Sequence, residues 1–320
     1  MIVTLTPNPS IDRTVALAGR LERGTVQRVL SVSTQGGGKG VNISRAAVRA
    51  GIDSIAVLPA HRDDPFVREL EGAGLGVCVT SPAGPIRMNL TITEPDGTTT
   101  KLNSPGPMVT TRALNEMARE VLRLARDSQW VVLAGSLPPG APATWYAELV
   151  SALRESAALV AVDTSGAALS ALVHALPGSA PNLMKPNGEE LASFTGADPE
   201  AIEHDPLLAA AAARTLVDRG VRAVLATLGA RGAVLVTADG AWHATPPPIN
   251  LVSTVGAGDS SLFGYVLGES QGLGPEDRLA LAVAYGSAAA SLPGTTIPAP
   301  EETRPDLVRV LALAGLGDLA

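Results

Sequence analysis

Short β-branched runs alternate along this sequence with longer Ala/Leu/Arg-rich stretches of helical period, and that alternation restricts the possible folds more than any other feature. The runs Ile2–Thr6, Ile55–Leu58, Trp130–Leu133, Leu159–Val162, Asn182–Met184 and Ala223–Thr227 read as strands. Between them, Val41–Ala50, Leu114–Arg126, Trp145–Glu155 and Leu208–Arg219 read as helices. Repeated strand-then-helix order predicts an α/β fold, a mostly parallel sheet with helices on both faces. From about Gly258 to Leu292 the pattern is almost wholly helical, as expected of closing helices packed on a finished sheet. Two regions break the rhythm. Thr14–Leu17 with Val26–Ser33, and Arg87–Thr93 with Thr98–Leu102, alternate apolar and polar residues at period two. Glu94-Pro95-Asp96-Gly97 joins the second pair with a hairpin turn signal. These segments predict antiparallel strands forming a small sheet that stands off the main body, a lid or a dimer surface, contributed by about 13–33 and 86–102. No linker is long enough to separate independent domains, so 1–320 reads as one domain.

Composition narrows the functional classes. An apolar fraction of 46% and a charged fraction of 17% describe a globular chain. A net charge of −7 argues against nucleic acid and anionic membranes as partners. A single cysteine, Cys78, excludes an intramolecular disulfide and any Cys-based zinc cluster. The four histidines are scattered without metal-ligand spacing. The start MIVTLTPNPSID has neither the basic n-region nor the apolar core of a signal peptide, and the expectation is a soluble cytoplasmic protein. The basic residues divide unevenly, 21 arginines against three lysines, Lys39, Lys101 and Lys185. Where generic positive charge serves, this chain uses Arg, so each Lys asks for a local reason.

Three constellations are able to carry chemistry. Gln35-Gly36-Gly37-Gly38-Lys39-Gly40-Val41-Asn42 is a glycine run opening a helix, which lets backbone approach a ligand and presents free N–H groups to an anion. It is not a Walker A loop, since Gly40 follows Lys39 and Ser33 holds the earlier glycine position. Nor is it a dinucleotide fingerprint, since Val41 stands where the third glycine belongs. A flexible loop before an ordinary helix cap is the plain alternative; Lys39 in a lysine-poor chain favours a phosphate or sugar site. Ser253-Thr254-Val255-Gly256-Ala257-Gly258-Asp259-Ser260 precedes a second helix. Gly256 and Gly258 suit an anion pocket, and Asp259 is either a charge favouring the helix N-terminus, worth about 0.3–1 kcal/mol, or a base beside a phosphate. Lys185-Pro186-Asn187-Gly188-Glu189-Glu190 follows a strand, at the edge where open α/β sheets bind ligands. Asn187 and Glu190 form either a capping box or a site for Mg²⁺ and its waters, and their spacing does not separate the two. Thr227-Leu228-Gly229-Ala230-Arg231-Gly232 and Gly135-Ser136-Leu137-Pro138-Pro139-Gly140 also end strands, as turns or as ligand contacts. Asp12, Arg87 and Asn89 alone would be bland surface residues.

Taken together these segments resemble the ribokinase-like (PfkB) carbohydrate kinases, in the family's order and over nearly the whole chain. Gly37-Gly38-Lys39-Gly40-x-Asn42 is similar to the family's first signature. Asp163-Thr164-Ser165-Gly166, Lys185-Pro186-Asn187 and Ser253-Thr254-Val255-Gly256-Ala257-Gly258-Asp259 are similar to the later ones, the last being highly specific. Leu5-Thr6-Pro7-Asn8-Pro9-Ser10-Ile11-Asp12, Gly135-Ser136-Leu137-Pro138-Pro139-Gly140 and Arg87-Met88-Asn89 are similar to its phosphosugar branch, which holds 1-phosphofructokinase, tagatose-6-phosphate kinase and the minor 6-phosphofructokinase. The last of these carries glycine where this chain has Lys39, so the departure weighs against it. The resemblance implies a three-layer α/β/α fold with a protruding lid sheet. It also implies ATP- and Mg²⁺-dependent phosphorylation of a ketohexose phosphate, fructose 1-phosphate giving fructose 1,6-bisphosphate. Tagatose 6-phosphate or fructose 6-phosphate is the alternative acceptor, a kinase of an unphosphorylated sugar or nucleoside a more distant one, and a catalytically silent sugar-phosphate sensor the non-enzyme reading. Carried onto matched positions, Asp259 is the base, and Gly256, Ala257 and Gly258 form the anion hole. Asp12, Gly38 and Asn42 hold sugar hydroxyls, with Asn89 and Ser136 beside the substrate. Lys39 and Arg87 bind the phosphate already on the acceptor, and Arg28 reaches a substrate phosphate in its own or a neighbouring subunit. Lys185, Asn187, Thr227, Gly229, Gly232 and Gly258 face ATP, with Glu190 and Asn187 near Mg²⁺. A homodimer through the lid sheet is expected.

Overall fold

A computed structural model describes residues 1–313; residues 314–320 of the expected domain lie outside the described residues. The strands are β1 (Ile2–Leu5), β2 (Ser10–Leu17), β3 (Val29–Gly37), β4 (Ser54–Pro59), β5 (Gly76–Thr80), β6 (Arg87–Thr93) and β7 (Thr99–Asn103). They continue as β8 (Trp130–Ala134), β9 (Leu159–Asp163), β10 (Leu183–Met184), β11 (Ala223–Thr227), β12 (Ala233–Thr237), β13 (Gly240–Thr245) and β14 (Arg309–Ala312). The helices are α1 (Lys39–Arg49), α2 (Pro65–Gly72), α3 (Thr111–Ala125), α4 (Trp145–Leu153) and α5 (Gly166–His174), followed by α6 (Gly188–Thr195), α7 (Pro199–His204), α8 (Pro206–Val217), α9 (Ala257–Ser270) and α10 (Pro275–Ala290).

Ten strands form the main sheet, in the order β14-β13-β12-β11-β10-β9-β8-β1-β4-β5. From β11 to β5 every neighbouring pair is parallel, whereas β11 to β14 run antiparallel. Alternation along the strands separates the two faces. Val3, Leu5, Val131, Leu133, Val160 and Val162 are buried on one side with α3, α4, α5 and α8. Ile2, Trp130, Val132, Ala161, Leu183 and Leu225 pack on the other with α1, α9 and α10. Strands covered on both faces read as continuous apolar runs, which explains why these segments stand out in the sequence. The helices start where capping chemistry allows. Asp64 accepts from the Phe66 N–H ahead of Pro65, and Thr110 accepts from the Ala113 N–H at 3.3 Å ahead of α3.

The second sheet, β3-β2-β6-β7, is the expected lid. Its turn is as read: the Gly97 N–H donates to the Glu94 carbonyl and Gly97 has φ +87°. Its pairing departs from expectation. The two hairpins are antiparallel, but β2 and β6 join them in parallel, with Asp12 opposite Asn89. Period-two patterning assigns faces, not strand direction, so nothing in the sequence distinguished the two arrangements. β3 also runs on to Gly37, pairing Gly36 with Ile11 and Gly37 with Ser10. Half of the glycine run is therefore strand, and only Gly38, at φ +119°, caps α1.

Candidate active site

The parallel strands β1, β8, β9, β10 and β11 all end at one edge, and the chain leaving each of them contributes to a single cleft. β9 ends in Asp163, which is 1% exposed. Its two carboxylate oxygens hold two lysines: Lys39 Nζ donates to Oδ1 at 2.6 Å, and Lys185 Nζ lies 3.1 Å from Oδ2. Lys39 is the first residue of α1, and one turn on Asn42 donates to Asp259 Oδ2 at 2.8 Å. Asp259 sits buried in the first turn of α9 behind Gly256, whose φ of +79° favours glycine. The Ala257 N–H donates to the Thr254 carbonyl at 3.4 Å, and the Gly258 amide is among the first-turn amides that a helix leaves unpaired. A Cβ built on Gly258 would stand 3.2 Å from Lys185 Nζ, so the second lysine lies directly against this pocket.

These groups set one another's charge. Burial pushes the Asp259 carboxyl up to about 6; the Lys39 ammonium opposes that rise and the Asp163 carboxylate adds to it. Burial also disfavours the charged Lys39, but Asp163 and Asp259 more than compensate and raise it above the ordinary lysine value. Burial works against an ionised Asp163 as well, and the two ammonium groups outweigh it and lower its pKa. A carboxyl whose pKa is pushed up to about 6, beside the Lys39 ammonium, suits proton abstraction next to an anion.

On the lid side, Asp12 on β2 accepts from Ser10 Oγ at 2.7 Å and from Asn89 Nδ2 at 3.0 Å. A Cβ on Gly37 would press on the Asp12 carboxylate and displace it. Arg87 on β6 is anchored to the Asn8 and Ser104 carbonyls at 3.3 and 2.9 Å. Ser136 is half-buried beyond the end of β8, after Gly135, whose carbonyl accepts from Tyr146 Oη and Thr164 Oγ1. Arg28 is exposed ahead of β3 and makes no hydrogen bond or ion pair among the described residues.

On the other side of Asp259 a cavity of about 710 Å³ opens. Asn187, Thr227, Gly229 and Gly232 line it, as do Ala257 and Gly258. Pro246, Pro248, Ile249 and Leu251 form one apolar wall, and Val283 and Gly286 of α10 the other. Asn187 and Glu190 make the reciprocal capping box, Asn187 Oδ1 accepting from the Glu190 N–H at 2.7 Å and Glu190 Oε2 from the Asn187 N–H at 2.9 Å. One Glu190 oxygen, Oε1, is left uncommitted, and no cluster of three His, Cys, Asp or Glu residues occurs among the described residues.

Sequence reasoning noticed the Asp163 motif without giving its carboxylate a task. The available signal was an acid closing an apolar strand at the ligand edge. The cavity walls carried no such signal, because prolines and small apolar residues look alike in loops and in binding slots.

Residues 5–302 match the family model described as pfkB family carbohydrate kinase. The chain belongs to the PfkB family. Among its PfkB relatives, a 1-phosphofructokinase of Rhodobacter capsulatus is 35% identical over 304 residues, covering 94% of this chain and 93% of the relative. The 1-phosphofructokinase of Escherichia coli (strain K12) is 32% identical over 318 residues, covering 98% and 97%. The solved phosphofructokinase-2 of Escherichia coli in complex with substrates and products superimposes with a TM-score of 0.82 at 27% identity, covering 94% of this chain and 96% of that one. The fold of this PfkB kinase is ribokinase-like, a three-layer body with a separate lid sheet.

Proposed function

We propose that this PfkB kinase transfers the terminal phosphoryl group of ATP to fructose 1-phosphate, giving fructose 1,6-bisphosphate. The observation that carries the reading is the position of Asp259: a buried carboxyl pushed up to about 6, held by Asn42 of α1, in the first turn of the helix whose Ala257 and Gly258 line the large cavity. ATP occupies the cavity, its base between the proline wall and α10, its phosphates toward Thr227, Lys185 and the first turn of α9. The sugar lies against Gly38, Asp12, Asn42, Asn89 and Ser136, and Arg87 meets the phosphate the acceptor already bears. Asp259 takes the proton of the attacking hydroxyl while the Gly256–Gly258 amides meet the charge on the transferred group. The relatives named 1-phosphofructokinase, matched nearly end to end, support this acceptor.

A Mg²⁺ ion usually takes one or two protein carboxylates, substrate phosphates and waters rather than a protein cage, and Glu190 with its free oxygen fits that donor set. Glu190, with Asn187 beside it, would hold the ion, which when bound neutralises charge on the nucleotide phosphates. The lid sheet turns Val32 (53% exposed) and Leu102 (56% exposed) outward, and these support a homodimer through that face. A supply of ATP places the reaction in the cytoplasm; no helix among the described residues is long and apolar enough to cross a membrane.

The test is ADP release with fructose 1-phosphate, fructose 6-phosphate and tagatose 6-phosphate side by side. The expected result is the highest kcat/KM with fructose 1-phosphate. A higher value with either other phosphate reassigns the acceptor, and no ADP release with any of them removes the kinase reading in favour of a sensor.

A further inference from the structure

Lys39 and Arg87, both expected at the acceptor's phosphate, have different partners in the fold. Arg87 is fixed in the lid, beside Asp12, by the Asn8 and Ser104 carbonyls. Lys39 turns the other way and places its ammonium 2.6 Å from Asp163, whose second oxygen meets Lys185. Lys185 in turn abuts Gly258, and Asn42, one turn along α1 from Lys39, holds Asp259. A path thus runs Lys39–Asp163–Lys185–Gly258 to the cavity, which Gly258 lines next to Asp259. In fructose 1-phosphate the attacked hydroxyl and the existing phosphate occupy opposite ends of the ketohexose. A cation beside Asp259 is therefore at the hydroxyl end.

We propose that Lys39 is a catalytic residue that contacts the phosphoryl group in transit, held there by Asp163 as a positioning residue, while Arg87 keeps the acceptor's own phosphate. This rests on the ketohexose-phosphate kinase reading above. In the step, the acceptor hydroxyl oxygen bonds to the γ-phosphorus as the bond from that phosphorus to the β,γ-bridging oxygen breaks. The bridging oxygen keeps the electron pair on ADP, and Asp259 takes the hydroxyl proton. Negative charge is spread over the three peripheral oxygens of the moving group. Lys39 meets it from the acceptor side, Lys185 and the α9 amides from the donor side. Two ammonium groups this near each other repel; the single carboxylate of Asp163 cancels that repulsion and leaves one net positive charge facing the phosphoryl group.

The experiment measures kcat with both substrates saturating, and separately the Kd for fructose 1-phosphate without nucleotide, by calorimetry. Lys39→Met should lower kcat by about 100-fold or more while Kd stays within about threefold. Arg87→Met should instead raise Kd about tenfold or more. Asp163→Asn should lower kcat without a matching change in Kd and move the acid limb of the kcat–pH profile to lower pH. The groups facing Asp259 are Lys39 and Asn42 from α1, Asp163 from β9 and Lys185 after β10, and Asp163 is the one that pushes Asp259 up. Lys39→Gln is the second variant if the methionine disrupts folding, with ATP binding reporting an intact site. A rise in Kd of about tenfold or more for the Lys39 variants, whatever happens to kcat, overturns the proposal. Wild-type protein that fails to release ADP with every ketohexose phosphate overturns the underlying reaction instead, and that result is seen before any variant is compared.

Discussion

Asp259 pays for its chemistry in stability, because a carboxylate buried this far is costly to ionise. Its pKa near 6 in the folded protein lies above the ordinary carboxylate value of about 3.9. The native state therefore binds the proton more tightly than the unfolded chain does. This contribution to stability is full below about pH 4, falls as pH rises through the interval to about 6, and is gone above it. Asp259→Asn removes the penalty. Thermal unfolding should show the variant with a higher Tm than wild type at pH 8 and the difference vanishing toward pH 4. Turnover should fall about 10³-fold or more with ATP binding retained. The wild-type kcat/KM should rise with pH through about 6 and then level off; a flat profile from pH 5 to 8 contradicts a base at this position. The place of Asp259 in the first turn of a helix was legible, because Gly256 and Gly258 lead into an apolar helical run. Asp163 was not, since its partners Lys39 and Lys185 lie far apart in sequence; the pairing of β10 with β9 brings Lys185 beside it, and the start of α1 brings Lys39.

Helices α9 and α10 close the molecule over the sheet, and their approach depends on one small residue. A Cβ on Gly264 would stand 2.6 Å from the Leu281 carbonyl and 2.9 Å from the Ala282 Cα. Both are backbone atoms that cannot rotate away. Gly264→Ala should therefore destabilise the protein by about 1–3 kcal/mol through overpacking, although alanine is the better helix former at an exposed site. Urea denaturation checks this; an unchanged midpoint would mean that the helices separate at little cost. Element existence and type were largely readable from the sequence, as Ala223–Thr227 shows by matching β11 residue for residue. The strand Gly76–Thr80 was not, being an edge strand with only partly buried alternation. The parallel contact between β2 and β6 was hidden for a different reason, because their pairing is long-range and each hairpin satisfies its local pattern without it.

At the scale of the whole molecule, the two sheets divide the labour, one covered on both faces, the other carrying Asp12 and Asn89 on one face and Val32 and Leu102 on the opposite one. If the outer lid face pairs two subunits, a charge placed there must break the pairing while leaving the main sheet intact. Leu102→Asp should shift the protein from dimer to monomer in light scattering and leave the far-ultraviolet spectrum unchanged. A wild-type monomer at micromolar concentration rules out the lid dimer. The lid also joins the body without slack, since a single residue, Gly38, separates the last residue of β3 from the first of α1. Lid and helix therefore behave as a lever with a one-residue pivot. Any swing of the sheet that admits or releases sugar must pull on the helix end carrying Lys39 and Asn42. Access to the cleft and the alignment of its charges become a single mechanical variable, and a tether between the lids of two subunits would transmit that variable from one catalytic centre to the other.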